Sequence, residues 1–484
     1  MQKFKNMNSY LKKTIIVLTG LTIIRLILAC FLGLDGGPAY YAMWSRKLEL
    51  SYFDHPLMTA LLIRISTEIF GWNSFAIKLP AILVYLATSI FMYKSIKLWG
   101  GKDKGAFYAV MFFNFIPWIA SSFGIKAGNP DIPFLFCFMM AFYYFSKLYK
   151  TENSNNWYWI GLWTALGLLS KYKMVFVWPA LFLCMIFLPK LKKQWKAPQL
   201  YISAIFALIG IVPTLIWNIN NDFASFSYHL VQRQGHFGFK PMQLLNFLGN
   251  QIAIMGVFIP VLLFINAFKY KKTEVGKAIL FFVAPAVIVF SCVNLFFGQS
   301  MQNWWASVYM ILLVLYGVKR VLNRADKWIL GFTIFVSVVG TAFYAYPFGI
   351  KLKETTNFLD HHLFDKASEH LETIIKKREA KGETVYVGTP RYRTTAMLGV
   401  NIPNRKIYSM DYRKGDQFQI WYNPNELIGK NVIYVAGGSQ VKQKPENLFN
   451  ADKIVLIDTQ KYTYNPAFSR TFYFYELKNY KGLK

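Results

Sequence analysis

Few ionisable residues interrupt the apolar stretches of this chain, and their types suit one kind of chemistry. The carboxylates in question are Asp35, Asp54 and Asp131, and the basic residues are His55, Lys171, Arg233 and His236. Basic side chains hold a phosphate and stabilise the charge that grows on it as a bond to it breaks. A carboxylate accepts the proton of an incoming hydroxyl group. These residues therefore suggest transfer of a group from a lipid-linked phosphate, which carries an apolar chain, to a hydroxyl group.

Long apolar stretches must position these residues. The chain has 484 residues, of which 55% are hydrophobic and 18% aromatic, and about 20 apolar residues suffice for a helix to cross a bilayer. Candidate stretches lie at 14–34, 76–96, 105–123, 131–146, 157–170, 173–189, 199–218, 246–268, 278–297, 304–318 and 328–347. We therefore predict a polytopic α-helical membrane protein with about eleven transmembrane helices, surrounded by membrane lipids.

The distribution of positive charge predicts the topology of these helices. Basic residues before residue 350 concentrate in alternate loops, such as 94–104, 190–196 and 269–277. The positive-inside rule makes those loops cytoplasmic, which places the N-terminus inside and the seven residues above on the outer side. The net charge of +30 is thus explained by topology, and its spread over many loops argues against nucleic acid as a partner. Arg25, inside the first stretch, is expected to pair within the helix bundle.

The end of the chain differs in composition from the rest. Hydrophobicity falls after Pro347, so we predict a transmembrane domain at 1–350, with its first outer loop at 35–75, and a soluble domain at 351–484. The soluble part opens with apolar residues at helical spacing, from Leu359 to Ile374, and short β-branched segments follow. The pattern predicts a small extracytoplasmic α/β domain.

Several segments, in chain order, resemble one family. They are "AYYAMWSRKLELSYFDHPLMTALLIR", "NPDIP", "LGLLSKY", "IWNINNDFASF", "RYRTTAMLGVNIP" and "DQFQIW". The chain is similar to the integral-membrane GT-C glycosyltransferases related to the dolichyl-phosphate-mannose protein mannosyltransferases and the bacterial aminoarabinose transferases (family 39/83-like). The resemblance covers nearly the whole chain and implies a GT-C-like fold.

The resemblance also implies catalytic roles, with one departure. The family's catalytic Asp directly precedes Ala-Tyr-Tyr, whereas here Gly37-Pro38 stand before Ala39 and the nearest carboxylate is Asp35. Three alternatives follow: Asp35 reaches the same place, the base is dispensable because the acceptor is an anionic phosphate, or the protein is catalytically silent. Asp131 matches the family's second important carboxylate, and the alternative is a helix N-cap.

Further matches imply binding roles. In "YFDHPL", Asp54 and His55 stand where aminoarabinose transferases have the Glu and Lys of their carrier-phosphate segment. His55, Lys171, Arg233 and His236 are therefore candidate ligands of the donor phosphate, and Arg393 and Trp421 are candidate acceptor contacts. The alternatives are local capping for His55, a lysine that snorkels to the interface for Lys171, and a solvated loop for Arg233 and His236.

Together these observations predict a glycosyltransferase. It would move a sugar from a polyprenyl-phosphate donor to an extracytoplasmic acceptor, with lipid A or another lipopolysaccharide component first among lipid, glycan and protein acceptors, and with inversion at the anomeric carbon. The expected location is a bacterial inner membrane, with the site on the outer face. A protein O-glycosyltransferase, a lipid-linked sugar transporter and a non-catalytic scaffold are the alternatives. No cofactor is indicated, and a divalent metal is left open because no ligand spacing is diagnostic.

Overall fold

The computed structural model describes residues 7–232, 237–297, 302–353, 359, 361–411, 415–437 and 444–484. Internal packing divides the chain into two compact units. Unit 1 holds Met1–Leu28, Glu49–Leu62 and Lys78–Gly340, and unit 2 holds Ala29–Leu48, Ile63–Ile77 and Thr341–Lys484. Packing thus groups two parts of the first outer loop with the C-terminal residues, and the single boundary near residue 350 stays a prediction.

Helices make up nearly all of the described chain before residue 350. They are α1 (Ser9–Phe31), α2 (Gly36–Arg46), α3 (Met58–Phe70), α4 (Ser74–Leu98), α5 (Asp103–Phe115), α6 (Pro117–Ile119, continued as a π turn to Ile125), α7 (Asp131–Thr151), α8 (Asn156–Leu168), α9 (Val177–Phe187, after a 3₁₀ turn Tyr172–Phe176), α10 (Pro198–Asn220), α11 (Ala224–Ser227, continued as a π turn Tyr228–Gln232), α12 (Pro241–Met255), α13 (Ile259–Tyr270), α14 (Glu274–Phe297), α15 (Ala306–Lys319) and α16 (Arg324–Ala345).

Six of the described helices, α1, α4, α7, α10, α14 and α16, are long and apolar enough to cross a membrane. Three bent pairs raise the number to nine if each pair is one span. Every predicted stretch contains a helix or a bent pair, but α8 and α15, with 13 and 14 residues, are shorter than a full span. The membrane class is therefore confirmed, whereas eleven full spans and the inside position of the N-terminus stay predictions.

Some predicted spans differ from a single helix. The stretch 105–123 bends by 60° between α5 and the segment that begins with α6. The stretch 246–268 is not one helix, because α12 and α13 meet at 107°. The break lies at Gly256, whose φ of 92° belongs to the left-handed region that favours glycine. Pro260 then stands in the first turn of α13, where its missing N–H costs nothing.

Small residues and one polar group hold the helices of unit 1 together. A Cβ on Gly161 of α8 would lie 2.6 Å from the carbonyl oxygen of Ser203 in α10, so these helices pack backbone to backbone. Arg25 of α1 donates to Asn114 Oδ1 at 3.0 Å and lies over the Tyr85 ring at 4.3 Å. The predicted pairing of Arg25 within the bundle is confirmed.

Unit 2 contains a five-stranded mixed sheet. After residue 350 the elements are α17 (Phe364–Glu379), β1 (Tyr386–Thr389), α18 (Tyr392–Gly399), β2 (Ile407–Ser409), α19 (Gln417–Trp421), β3 (Val432–Gly437), β4 (Phe449–Asn465) and β5 (Phe468–Leu483). The strand order is β2-β1-β3-β5-β4, with β1 parallel to β2 and β3, and with β5 antiparallel to β3 and β4. The predicted small α/β domain is confirmed.

Candidate active site

Asp131 is the centre of a buried charged cluster in unit 1. It is the first residue of α7, and its main-chain N–H donates to Asn129 Oδ1 at 3.1 Å. The N-cap residue is Pro130, which makes no side-chain hydrogen bond to the helix, so Asp131 is not its N-cap. The Asp131 carboxylate, only 6% exposed, is therefore available to the elements that pack around the start of α7.

Two lysines and an amide bind that carboxylate. Lys171 Nζ lies 2.6 Å from Asp131 Oδ2, and Lys173 Nζ lies 3.3 Å from Oδ1. Asn303 Nδ2 donates to Oδ2 at 2.7 Å. Both lysines follow the end of α8, where Lys171 has an extended backbone. A buried charge persists when it is paired and hydrogen-bonded, and this cluster has two cations for one anion.

The structure therefore brings Asp131 and Lys171 together, as a shared site requires. Lys173 and Asn303, to which the sequence had given no role, complete the cluster. Asn303 precedes the apolar stretch 304–318, so a polar residue at the outer edge of a predicted span was the available signal. A cluster with an excess of one positive charge suits an anionic ligand such as a phosphate.

A tight turn presents Asp54 and His55 next to a second histidine. Ser51 and Pro56 form an isolated antiparallel bridge, and the Tyr52 amide donates to the His55 carbonyl at 3.2 Å. His229 Nε2 lies 2.8 Å from the Asp54 carbonyl oxygen, and its ring stacks on His55 with centroids 6.0 Å apart. His229 thus joins Asp54 and His55, whereas the predicted ligands Arg233 and His236 lie outside the described residues.

Tyr172 connects the turn that carries Asp54 and His55 with the charged cluster. Its ring packs edge-on against His229 at 5.4 Å, and its hydroxyl lies 2.8 Å from Ser225 Oγ. Because Tyr172 stands between Lys171 and Lys173, the two groups of side chains belong to one region of unit 1. The Met58 amide also donates to the Leu169 carbonyl at 2.8 Å, which holds the start of α3 against the end of α8.

A further hydrogen bond fixes the beginning of the turn. Trp217 Nε1 donates to Glu49 Oε2 at 2.6 Å, and the Glu49 amide donates to the Tyr52 hydroxyl at 3.1 Å. Trp217 belongs to the segment "IWNINNDFASF", which the sequence comparison had singled out without a role. Its indole positions the outer turn that carries Asp54 and His55.

Asp35 lies in unit 2, in a buried network of its own. The Tyr344 hydroxyl donates to Asp35 Oδ2 at 2.8 Å, and His361 Nδ1 lies 3.5 Å from Oδ1. The Tyr344 carbonyl oxygen lies 3.1 Å from His361 Nε2. Sequence reasoning missed His361, although the pair His361-His362 beside an apolar residue was a visible signal. Asp35 is thus held by the C-terminal part of the chain, and its catalytic role stays a prediction.

The two predicted acceptor contacts also lie in unit 2. Arg393 is exposed and packs on Gly36, where an added Cβ would lie 2.9 Å from Arg393 Cβ. Trp421 lines a cavity of about 180 Å³, and Lys47 Nζ lies 5.4 Å from the centre of its ring. Both positions are compatible with acceptor binding, which stays a prediction. Among the described residues, no three side chains of His, Cys, Asp or Glu gather as a metal site.

The fold and the charged cluster define an integral-membrane protein with a buried group of charged side chains at helix ends. Comparison with known proteins makes this more specific. The model of the dolichyl-phosphate-mannose-protein mannosyltransferase family matches residues 54–217, the segment that carries Asp54, His55, Asp131, Lys171 and Trp217. The chain is also 22% identical over 339 residues to the lipid A galacturonosyltransferase RgtD of Rhizobium johnstonii, which covers 69% of this chain and 70% of RgtD.

Solved structures agree with these sequence matches. ArnT from Cupriavidus metallidurans in the apo state aligns with a TM-score of 0.62 at 10% identity, over 95% of this chain and 97% of ArnT. The same protein bound to undecaprenyl phosphate aligns with a TM-score of 0.62 at 12% identity and the same coverage. The chain therefore has the ArnT fold. The predicted likeness to the GT-C glycosyltransferases is confirmed, since the mannosyltransferase family model, RgtD and ArnT all match this chain.

Proposed function

We propose that the protein transfers a sugar from a polyprenyl-phosphate donor to lipid A or another glycan on the outer face of a bacterial inner membrane. The buried cluster of Asp131, Lys171, Lys173 and Asn303 carries the proposal, because its excess positive charge suits the donor's phosphate. ArnT was solved with undecaprenyl phosphate bound, which supports the donor class. RgtD acts on lipid A, which supports the acceptor.

The proposed reaction is a single displacement at the anomeric carbon. The acceptor hydroxyl oxygen forms the new bond, the bond from the anomeric carbon to the phosphate oxygen breaks, and the electron pair leaves with the phosphate. Lys171 and Lys173 stabilise the charge that develops on the leaving phosphate. Attack opposite the leaving group inverts the anomeric carbon.

Two carboxylates in unit 1 then have different roles. Both oxygens of Asp131 are bound by cations and an amide, so we assign it to positioning the lysines rather than to accepting a proton. Asp54 is half-buried beside His55 and His229, and we assign it as the base that takes the acceptor's proton. His55 then contributes a hydrogen bond to the donor phosphate, while His229 donates to the Asp54 carbonyl oxygen and holds the turn in place.

The test is transfer by the purified protein. It is incubated with undecaprenyl-phosphate sugars that differ in the sugar, together with lipid A, and the lipid products are identified by mass spectrometry. We expect one donor to add one sugar to the acceptor, and we expect Asp54→Asn to abolish the addition while Arg64→Gln, an exposed cation paired with Glu68, retains it. No product from any donor, alongside unchanged lipid A in cells that lack the gene, contradicts the proposal. Product on a peptide, or donor flux without a covalent product, would favour protein glycosylation or transport instead.

A further inference from the structure

Unit 2 contains a cavity of about 710 Å³ that no assigned role uses. Residues of the segments 31–34 and 72–77 line one side, and residues of α17, α18 and β4 line the other. The volume falls in the range of about 300–1,000 Å³ that is typical of small-molecule sites. The cavity is therefore large enough for a ligand of two or three sugar rings.

The polar lining of this cavity includes side chains of both charges. Asn401 and Thr463 are exposed within it and offer donors and acceptors to hydroxyl groups. Asp365 and Lys366 contribute one negative and one positive charge, and both are exposed. The cavity therefore lacks the cation excess of the Asp131 cluster, so a neutral polar ligand fits it better than a phosphate.

Aromatic rings and a histidine pair form the rest of the lining. Trp72 and Tyr464 contribute aromatic rings to the lining; His362 stacks on Tyr464 with centroids 3.8 Å apart, and the Arg46 guanidinium lies 5.1 Å from the centre of the Trp72 ring. Burial and the neighbouring His361 lower the pKa of His362 to about 3, so its imidazole is neutral at physiological pH. Flat aromatic faces beside hydroxyl-binding groups suit a sugar ring, which has apolar C–H faces and a polar edge.

Residues at the ends of two long apolar helices line the cavity. Phe31, the last residue of α1, is one of them and is 82% exposed. Ser74 and Ile77, in the first turn of α4, line it as well. Because α1 and α4 are both long and apolar enough to span a membrane, a ligand with its acyl chains in the bilayer can present its head to this cavity.

We infer that this cavity binds the neutral saccharide head of the glycolipid acceptor. The inference rests on the proposed function for naming the occupant as the acceptor, while the binding of a saccharide rests on the cavity alone. The two sites then bind different substrates. The Asp131 cluster binds the anionic carrier of the donor, and the cavity of unit 2 binds the uncharged sugar of the acceptor.

Direct binding tests the inference without a donor. The probes are an acylated, dephosphorylated glucosamine disaccharide and its deacylated form, titrated by calorimetry into the full-length protein in a sugar-free detergent. Thr463→Trp fills the cavity, and Asn401→Leu removes a polar group of similar size. The matched control is Thr373→Trp, an exposed threonine on α17 that lines a different cleft.

We expect the Kd of the disaccharide to rise at least tenfold in Thr463→Trp, several-fold in Asn401→Leu, and less than twofold in Thr373→Trp. The melting temperature should be unchanged in Thr463→Trp and Thr373→Trp, whereas Asn401→Leu also loses the hydrogen bond from Asn401 Nδ2 to the Met397 carbonyl oxygen. An unchanged Kd in Thr463→Trp overturns the inference, as does the absence of binding to the unaltered protein. A bisphosphorylated disaccharide that binds ten times more tightly than the neutral one also overturns it.

Transfer assays separate this inference from the proposed function. With the donor that supports turnover, Thr463→Trp should raise the acceptor KM and leave the Kd of undecaprenyl phosphate unchanged. If the unaltered protein binds the disaccharide but transfers nothing from any donor, the proposed function fails and saccharide binding stands. If transfer occurs and the acceptor KM of Thr463→Trp is unchanged, the inference fails and the proposed function stands.

Discussion

Replacing Lys171 by methionine tests how the charged cluster works. Methionine keeps most of the volume and removes one positive charge. The remaining pair, Asp131 and Lys173, is formally neutral, so the cluster loses the excess charge that would bind a phosphate. Asp131→Asn changes the charge in the opposite direction, because it leaves two cations without their carboxylate. The two variants should therefore affect phosphate binding with opposite signs.

The magnitude follows from the buried position of Lys171, which is 8% exposed. A unit charge about 4 Å from a phosphate charge interacts by about 4 kcal/mol at an effective dielectric of about 20. Desolvation of the lysine offsets part of this, and hydrogen bonds to charged groups contribute about 1.5–3 kcal/mol net. We expect Lys171→Met to raise the Kd of undecaprenyl phosphate by about 10- to 100-fold, since about 1.4 kcal/mol is a factor of ten.

Asp131→Asn should not raise that Kd. Leaving two buried ammonium groups together costs stability, about 3–5 kcal/mol for a broken buried pair, so its melting temperature should fall clearly. Bound undecaprenyl phosphate should restore part of the loss, because it supplies the missing negative charge and ligands that bind only the folded state stabilise it.

The assay is binding of undecaprenyl phosphate to the purified protein in detergent, followed with the melting temperature of each variant. Arg64→Met is the matched control, because its exposed cation pairs with Glu68 away from the cluster. An unchanged Kd in Lys171→Met would refute the assignment of the phosphate to this cluster. A Kd that rises equally in Asp131→Asn would show that the cluster is structural and that its net charge is irrelevant to binding.

Three further outcomes test the remaining geometry. His229→Leu should lower the transfer rate several-fold, because it removes the hydrogen bond to the Asp54 carbonyl oxygen that holds this turn, a net contribution of about 1 kcal/mol; an unchanged rate excludes a role at the site. Asp35→Asn should destabilise the protein by about 1–3 kcal/mol in thermal unfolding and leave transfer intact. Lost transfer without lost stability would instead assign the role of catalytic base to Asp35. Gly36→Ala should lower the melting temperature because its Cβ would meet Arg393, while Gly37→Ala, with open space around the added Cβ, should not; equal effects would contradict the close packing.

Most helices could be predicted from the sequence because the hydropathy of many residues adds up along each of them. Helices such as α1 and α14 are predominantly apolar over their length, and averaging over a window detects them. The break at Gly256 was missed for the same reason, since one glycine in an apolar run hardly changes the average. Its φ of 92° depends on backbone conformation, which hydropathy does not report.

The candidate site was predicted only where a residue carries charge. Asp131 and Lys171 were visible because a charged group at membrane level is costly and needs a reason. Asn303 is uncharged and carries no such signal, and it donates to a carboxylate 172 residues earlier in the chain. Pairing at that separation is determined by the fold, so only the three-dimensional structure brings the amide into the cluster.

The first outer loop explains why its carboxylates are not equivalent. Packing assigns 49–62 to unit 1 and both 29–48 and 63–77 to unit 2, so Asp54 and Asp35 belong to different units although only eighteen residues separate them. Asp35 precedes α2 and contacts Tyr344 and His361, and these contacts are consistent with a structural role. Asp54 stands beside two histidines in the segment that the mannosyltransferase family model matches. We therefore propose that Asp54, rather than Asp35, takes the role of the catalytic carboxylate that the family has before Ala39. The opposite expectations for Asp54→Asn and Asp35→Asn separate the two.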